Sequence, residues 1–191
     1  MDGLEALDRS RSEFDRRLRA VEADQWSTAT PCAGWTVRDV VTHVVGGNRM
    51  AASLVAGASR DEARAARGQD PLGDDPLAAF EQSADELSAS FRAPGARARV
   101  CHSAMGDIPG EQLLGFRVAD YALHAWDLAR ATGTDEQLDD ALVQALWQIM
   151  SPMAPTIGHS GQFGTGPSAD LDADAPLQTQ LLDLSGRRSS P

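Results

Sequence analysis

"DYALHAWDLAR", residues 120–130, sets Asp120 and His124 one helical turn apart among Ala, Leu and aromatic residues. The segment around it predicts a helix from Glu111 to Thr132, closed by Gly133 as a left-handed cap. On a wheel of 100° per residue, Leu113, Arg117, Asp120, His124, Asp127 and Ala131 fall within about 80° of one another. Val118, Ala122, Ala125 and Ala129 occupy the opposite arc. Two readings follow. In the first, Ala and Val face the core while the charged residues form a solvated ladder of pairs three and four apart, each contributing a few tenths of a kcal/mol. In the second, Phe116, Leu123 and Leu128 flanking the polar line, with Tyr121 and Trp126 elsewhere, make the helix apolar nearly all round, and such helices are central and buried. The ionisable pair must then be partnered or bind something, because an unsatisfied buried charge costs several kcal/mol.

Outward from this segment the pattern stays helical. Leu4, Leu7, Phe14, Leu18 and Val21 recur at helical intervals and predict a first helix over residues 3 to 23. "WSTATPCAGWT" interrupts it with Pro31 and Gly34, and Thr36 with Asp39 forms a capping box that starts a second helix. That helix carries Val37, Val40, Val41, Val44 and Val45 on one face. His43 stands at the edge of the stripe, about 60° from Val40, and Gly47 removes a side chain one turn below it. Residues 57–75 are polar and glycine-punctuated, a loop with room for one extra turn. From Pro76 a third main helix shows Leu77, Phe80, Ala84, Leu87 and Phe91 alternating three and four apart. The connection before Glu111 has a short extended piece at Val100 and Cys101. After Gly133, the capping pattern of Thr134 to Gln137 predicts a fifth helix carrying Leu138, Leu142, Leu146 and Ile149. Residues 151–175, rich in Pro, Gly, Ser and Asp, read as a long loop, either a lid or disordered. A short terminal helix over 176–186 follows, docked through Leu177, Leu181 and Leu184. The sum is an all-α bundle of four main helices with short extra helices, a single domain over residues 1–191.

Composition narrows the function classes. Hydrophobic residues make up 42% and charged residues 24%, a globular mix. No apolar run approaches the roughly 20 residues that span a bilayer, and the amino terminus is charged, so no membrane association and a cytoplasmic location are expected. With 28 acidic against 17 basic residues the net charge is −11, which repels a phosphate backbone and argues against nucleic acid. Cys32 and Cys101 lack metal-type spacing and read as reduced thiols. Cys32 precedes a helix that would stabilise a thiolate, but a small buried hydrophobe is the expected role. His102 and His159 fall in loops and read as surface histidines, His159 with a reach over a site as part of a lid. The tryptophans read as packing residues.

A carboxylate and an imidazole one turn apart share a face and suit one cation. His43 from a facing helix would complete three ligands with an open fourth position, the arrangement of catalytic zinc. Arg117 is placed either to orient a substrate carboxylate or to form a salt bridge, and Asp127 to accept from the free ring nitrogen of His124.

"TPCAGWTVRDVVTHVVGGN" and "RVADYALHAWDLARATG" together resemble the two signature segments of the DinB/YfiT-like metalloenzyme family of actinobacteria, specifically proteins similar to the N-terminal domain of mycothiol-dependent maleylpyruvate isomerase. The likeness runs from the first helix to "LSGRR". It implies an antiparallel four-helix bundle holding a divalent metal, typically zinc, with nickel or manganese as other candidates. The implied ligands are His43, Asp120 and His124. Asp120 stands where the isomerase carries Glu, and Asn48 of "GGN" also matches the pattern. The fourth position would take water or the sulfur of a low-molecular-weight thiol. The isomerase has a further C-terminal domain, whereas this chain ends soon after Gly186, so isomerisation of maleylpyruvate is not expected. The resulting expectation is a metal-dependent mycothiol S-transferase-like enzyme acting on a small electrophile, monomeric or homodimeric. The alternatives are a metal-dependent hydrolase using bound water, and a non-catalytic metal-binding or interaction protein.

Overall fold

The structure, a computed structural model, describes residues 1–104, 106–157, 166–168, 170–172 and 174–188. His159 lies outside the described residues. The chain forms two compact units, Asp2–Glu136 and Gln137–Pro191.

The first unit is helical apart from one hairpin. Helix α1 (Gly3–Arg19) is capped by the Asp2 carboxylate, which accepts from the amides of Leu4 and Glu5. It ends four residues before the expected 23, because the Ala20 and Val21 amides turn to Arg17 and Leu18, three residues back, and tighten the chain out of α geometry. Helix α2 (Val37–Ala56) opens on the expected Thr36–Asp39 capping box. The 57–75 loop holds α3 (Arg60–Ala66), with its own capping box of Ser59 and Glu62. Helix α4 (Pro76–Arg92) follows, then an antiparallel hairpin of β1 (Val100–Ser103) and β2 (Gly106–Pro109). This hairpin is larger than the short extended piece expected at Val100 and Cys101, so among the described residues the fold is mostly helical with one two-stranded sheet. His102 stands exposed on it, paired with Asp107 at 2.8 Å.

Helix α5 (Gly110–Thr132) is the centre of the unit. Every residue from Arg117 to Ala129 is buried except Asp120, which is half-buried. The solvated-ladder reading therefore fails for Arg117, His124 and Asp127. Helix α1 packs on α4 and α5, and α2 packs on the same two, so the four long helices close a ring of contacts. Phe14 from α1, Phe80 from α4 and Tyr121 from α5 meet in its core with ring centroids 5.0–6.0 Å apart.

In the second unit α6 (Asp140–Met150) packs on α8 (Leu177–Leu184), burying Leu142, Val143, Leu146 and Met150 against Leu181, Leu182 and Leu184. The expected capping box at Thr134 to Gln137 does not form. The Thr134 amide instead completes the end of α5 on the Ala129 carbonyl, and α6 starts later, where the Asp139 carboxylate accepts from the Leu142 amide. A short helix α7 (Ala154–Ile157) follows a 3-10 turn. Within 151–175, Ser168 is anchored through its amide and hydroxyl to Asp183.

Candidate metal centre

The Thr36–Asp39 cap fixes where α2 begins, and His43 follows nearly two turns into it, facing α5. From α5, Asp120 and His124 project one turn apart toward the same point. His43 Nε2 lies 3.1 Å from Asp120 Oδ1, and His124 Nε2 lies 3.6 Å from that same oxygen. The three ligand atoms all sit within 4.8 Å of one another. The imidazole rings meet edge to face at 5.0 Å. The His43 side chain is 29% and Asp120 21% exposed, so the cluster opens to solvent on one side and is closed below by buried His124.

The other carboxylate oxygen of Asp120 is turned away. Arg117 Nη1 forms an ion pair with Asp120 Oδ2 at 2.8 Å, while Arg117 Nη2 donates to Asn48 Oδ1 at 2.7 Å and to the Val44 carbonyl at 3.3 Å. Asn48 passes the network on, donating to the Ser83 hydroxyl at 2.9 Å. Gly47 is the space the guanidinium occupies: a Cβ there would stand 2.5 Å from Arg117 Nη1. Burial pushes the Asp120 carboxyl up, but Arg117, then His43 and His124, outweigh it and hold the group well below the usual carboxylate range. Asp120 thus keeps one oxygen for a ligand and gives the other to Arg117. Beside this network Tyr121 is buried, which raises its hydroxyl to about 12 against the pull of Arg117.

Behind His124 lies a second layer. Its Nδ1 is 2.8 Å from Asp127 Oδ2, the carboxylate–histidine pairing that orients metal-binding imidazoles. Asp127 is wholly buried and also accepts from the Cys32 thiol at 3.2 Å. Cys32 is half-buried, and its sulfur lies 4.0 Å from His124 Nδ1, so it is not the core hydrophobe expected of it. Its turn explains the placement. The Cys32 carbonyl accepts from the Trp35 amide at 2.9 Å, with Gly34 between them at φ 79°, a positive value that this kind of turn demands at its third residue. Thr30 secures both ends, its hydroxyl accepting from the Cys32 amide and donating to the Trp35 carbonyl. The turn therefore delivers Trp35 as well. The Trp35 ring stacks over His124 at 6.0 Å and leans on His43 at 5.0 Å, a wall of the site rather than general packing. Trp126, by contrast, is buried as packing.

The structure brings together all six candidate residues, His43, Asp120 and His124 at the centre with Asn48, Arg117 and Asp127 around them. Arg117 is engaged with Asp120, Asn48 and the Val44 carbonyl, the placement of the salt-bridge alternative. Cys32 and Trp35 are the neighbours missed from sequence; their only signal was a Pro-Cys and Gly-Trp turn directly ahead of the helix bearing His43. An open depression of about 270 Å³ between α1 and α4 is lined by the charged side chains Arg11, Asp15, Arg19, Glu81 and Asp85 and lies away from this centre.

The family model of the mycothiol maleylpyruvate isomerase N-terminal domain matches residues 7–129, which include every residue of the centre. Two uncharacterized proteins, one from each of two Mycobacterium tuberculosis strains, are 37% identical to the chain over 191 residues, covering 98% of it and 98% of themselves. The crystal structure of the mycothiol-dependent maleylpyruvate isomerase superposes with a TM-score of 0.63 at 19% identity, over 81% of this chain and 71% of that one. A variant of that enzyme gives 0.61 over 81% and 70%. These two structures share the fold.

Proposed function

Because the chain belongs to the mycothiol maleylpyruvate isomerase N-terminal domain family, we propose that it is a divalent-metal-dependent, mycothiol S-transferase-like enzyme acting on a small electrophile. His43, Asp120 and His124 are the ligands in this reading, and zinc is the cation best matched to two imidazoles and one carboxylate. The observation that carries it is the convergence of two imidazole Nε2 atoms on the Asp120 oxygen that Arg117 does not engage, at 3.1 and 3.6 Å, on the solvent side of an otherwise buried cluster. A cation held there acts as a Lewis acid and lowers the pKa of a thiol or water in its open position.

The chain's own residues supply the rest. Arg117 keeps Asp120 ionised and turned, so that one oxygen faces the histidines. Asp127 fixes the His124 ring by accepting at Nδ1, which leaves Nε2 as the ligand nitrogen. Trp35 covers the imidazoles and offers an apolar face to a substrate approaching from solvent. The closed ring of α1, α2, α4 and α5 supports the antiparallel four-helix bundle, and we take residues 1–191 as one functional domain.

Elemental analysis tests the ligands. Wild-type protein, stripped and reloaded with zinc, manganese or nickel, is expected to hold near-stoichiometric metal, and His124→Ala to lose it. Equal metal in both overturns the assignment. The loaded enzyme is then expected to conjugate a chlorodinitrobenzene to mycothiol, and activity without any thiol would replace transfer by hydrolysis.

A further inference from the structure

His124 is flanked on both ring nitrogens. Its Nε2 faces His43 and Asp120, whereas its Nδ1 faces a second set of donors, Asp127 Oδ2 at 2.8 Å and Cys32 Sγ at 4.0 Å, with Sγ and Oδ2 themselves 3.2 Å apart. Tetrahedral bonds of about 2.3 Å to sulfur and about 2.0 Å to nitrogen and oxygen separate donor atoms by roughly 3.3–3.6 Å. The three observed separations straddle that range. Each donor comes with independent support: Cys32 is held by the Thr30–Trp35 turn, and His124 and Asp127 lie three apart on the most buried stretch of α5.

We propose that Cys32, Asp127 and His124 form a second, sulfur-containing metal site, at the ring nitrogen of His124 that does not face the His43–Asp120 centre and selective for thiophilic cations. Thiolate ligands favour soft cations such as cadmium and copper(I) over manganese, so the two sides of the ring differ in the ions they prefer. Occupation of this site releases the Cys32 thiol proton to solvent and breaks the bond from His124 Nδ1 to Asp127. The remaining ring proton then resides on Nε2, directed at Asp120 Oδ1, 3.6 Å away. A neutral imidazole has one lone pair, so the chain holds one ion at a time through His124, and a thiophilic ion on the Cys32 side excludes a cation from the other. The site is assigned from these residues alone, and its test separates it from the proposed function.

The probe is cadmium ion, added to the full-length metal-free protein and followed by the sulfur-to-cadmium charge-transfer band in the ultraviolet. The band is expected to grow to one equivalent, to persist in His43→Ala, and to disappear in Cys32→Ser with at least a tenfold loss of cadmium affinity. Manganese binding, read by electron spin resonance, is expected to survive Cys32→Ser and to be lost in His43→Ala. Cadmium bound without the band in wild type, or a band that survives Cys32→Ser and so belongs to Cys101, overturns the second site. Loss of manganese binding in wild type with the cadmium band intact would instead count against the His43–Asp120 centre and leave the Cys32 site standing.

Discussion

At the scale of single residues the centre depends on one missing side chain. Gly47 exists where the Arg117 guanidinium lies, and in Gly47→Ala the new Cβ would meet Nη1 at 2.5 Å and Cζ at 3.2 Å. The substitution gains about 1 kcal/mol of helix propensity and loses about 1–3 kcal/mol to overpacking, so the net change runs from near zero to a loss of about 2 kcal/mol. Metal affinity is expected to fall tenfold or more, because Arg117 no longer turns Asp120; calorimetric titration of zinc into the stripped variant checks this. Arg117→Met acts differently. It leaves the Asp120 carboxylate in a mostly buried place without its cation, an expected loss of about 3 kcal/mol in the metal-free protein. Added zinc supplies positive charge to the same carboxylate, so the deficit measured by urea unfolding is expected to shrink when metal is present. Neither role for Arg117 was separable from sequence, since a residue three before an aspartate on a helix has the same spacing whether it faces that aspartate or a substrate.

At the scale of elements, caps decide where the ligand-bearing helices begin. Thr36 and Asp39 satisfy each other's amides at the start of α2, and the Thr36 hydroxyl, then its amide, hold the Asp39 carboxyl below its ordinary value. Thr36→Ala is expected to cost about 1 kcal/mol. Asp39 ties that element to pH. Its folded value lies below the unfolded one, about 3.9, so its contribution is complete above the unfolded pKa and is lost as pH falls through the folded one. The stability gap between wild type and Asp39→Ala, measured by denaturant midpoints across pH, is therefore expected to stay constant above about pH 5 and to narrow below about 4. The capping box at Thr36 was legible because its partners are three residues apart. The one expected at Thr134 was not formed because the end of α5 claimed the Thr134 amide first. Local pattern identifies an amide that needs a partner, and the neighbouring element decides which partner it finds.

At the scale of the whole molecule, the proposed ligands join two helices, His43 on α2 and the pair on α5, 77 residues away. A cation bound there stabilises the folded state by mass action. At a hundred times its dissociation constant zinc is expected to add about 2.7 kcal/mol, or roughly 5–10 °C in melting temperature for a chain of this size. Thermal scans should show that shift in wild type and none in His124→Ala. Among the described residues no helix is long and apolar enough to cross a membrane. Sequence by itself determined the helices, the faces they bury and the one-turn spacing of Asp120 and His124, because periodicity and caps act over three or four residues. It left open whether the polar line of α5 was solvated or buried, since charges three and four apart suit a solvated ladder while the apolar flanks suit a buried helix until its neighbours are known. Tertiary structure alone decided that, and with it the commitment of Arg117 to Asn48 69 residues away and of Cys32 to Asp127 95 residues away. Those contacts arise from packing between distant segments, and no local pattern encodes which side chains such packing brings face to face.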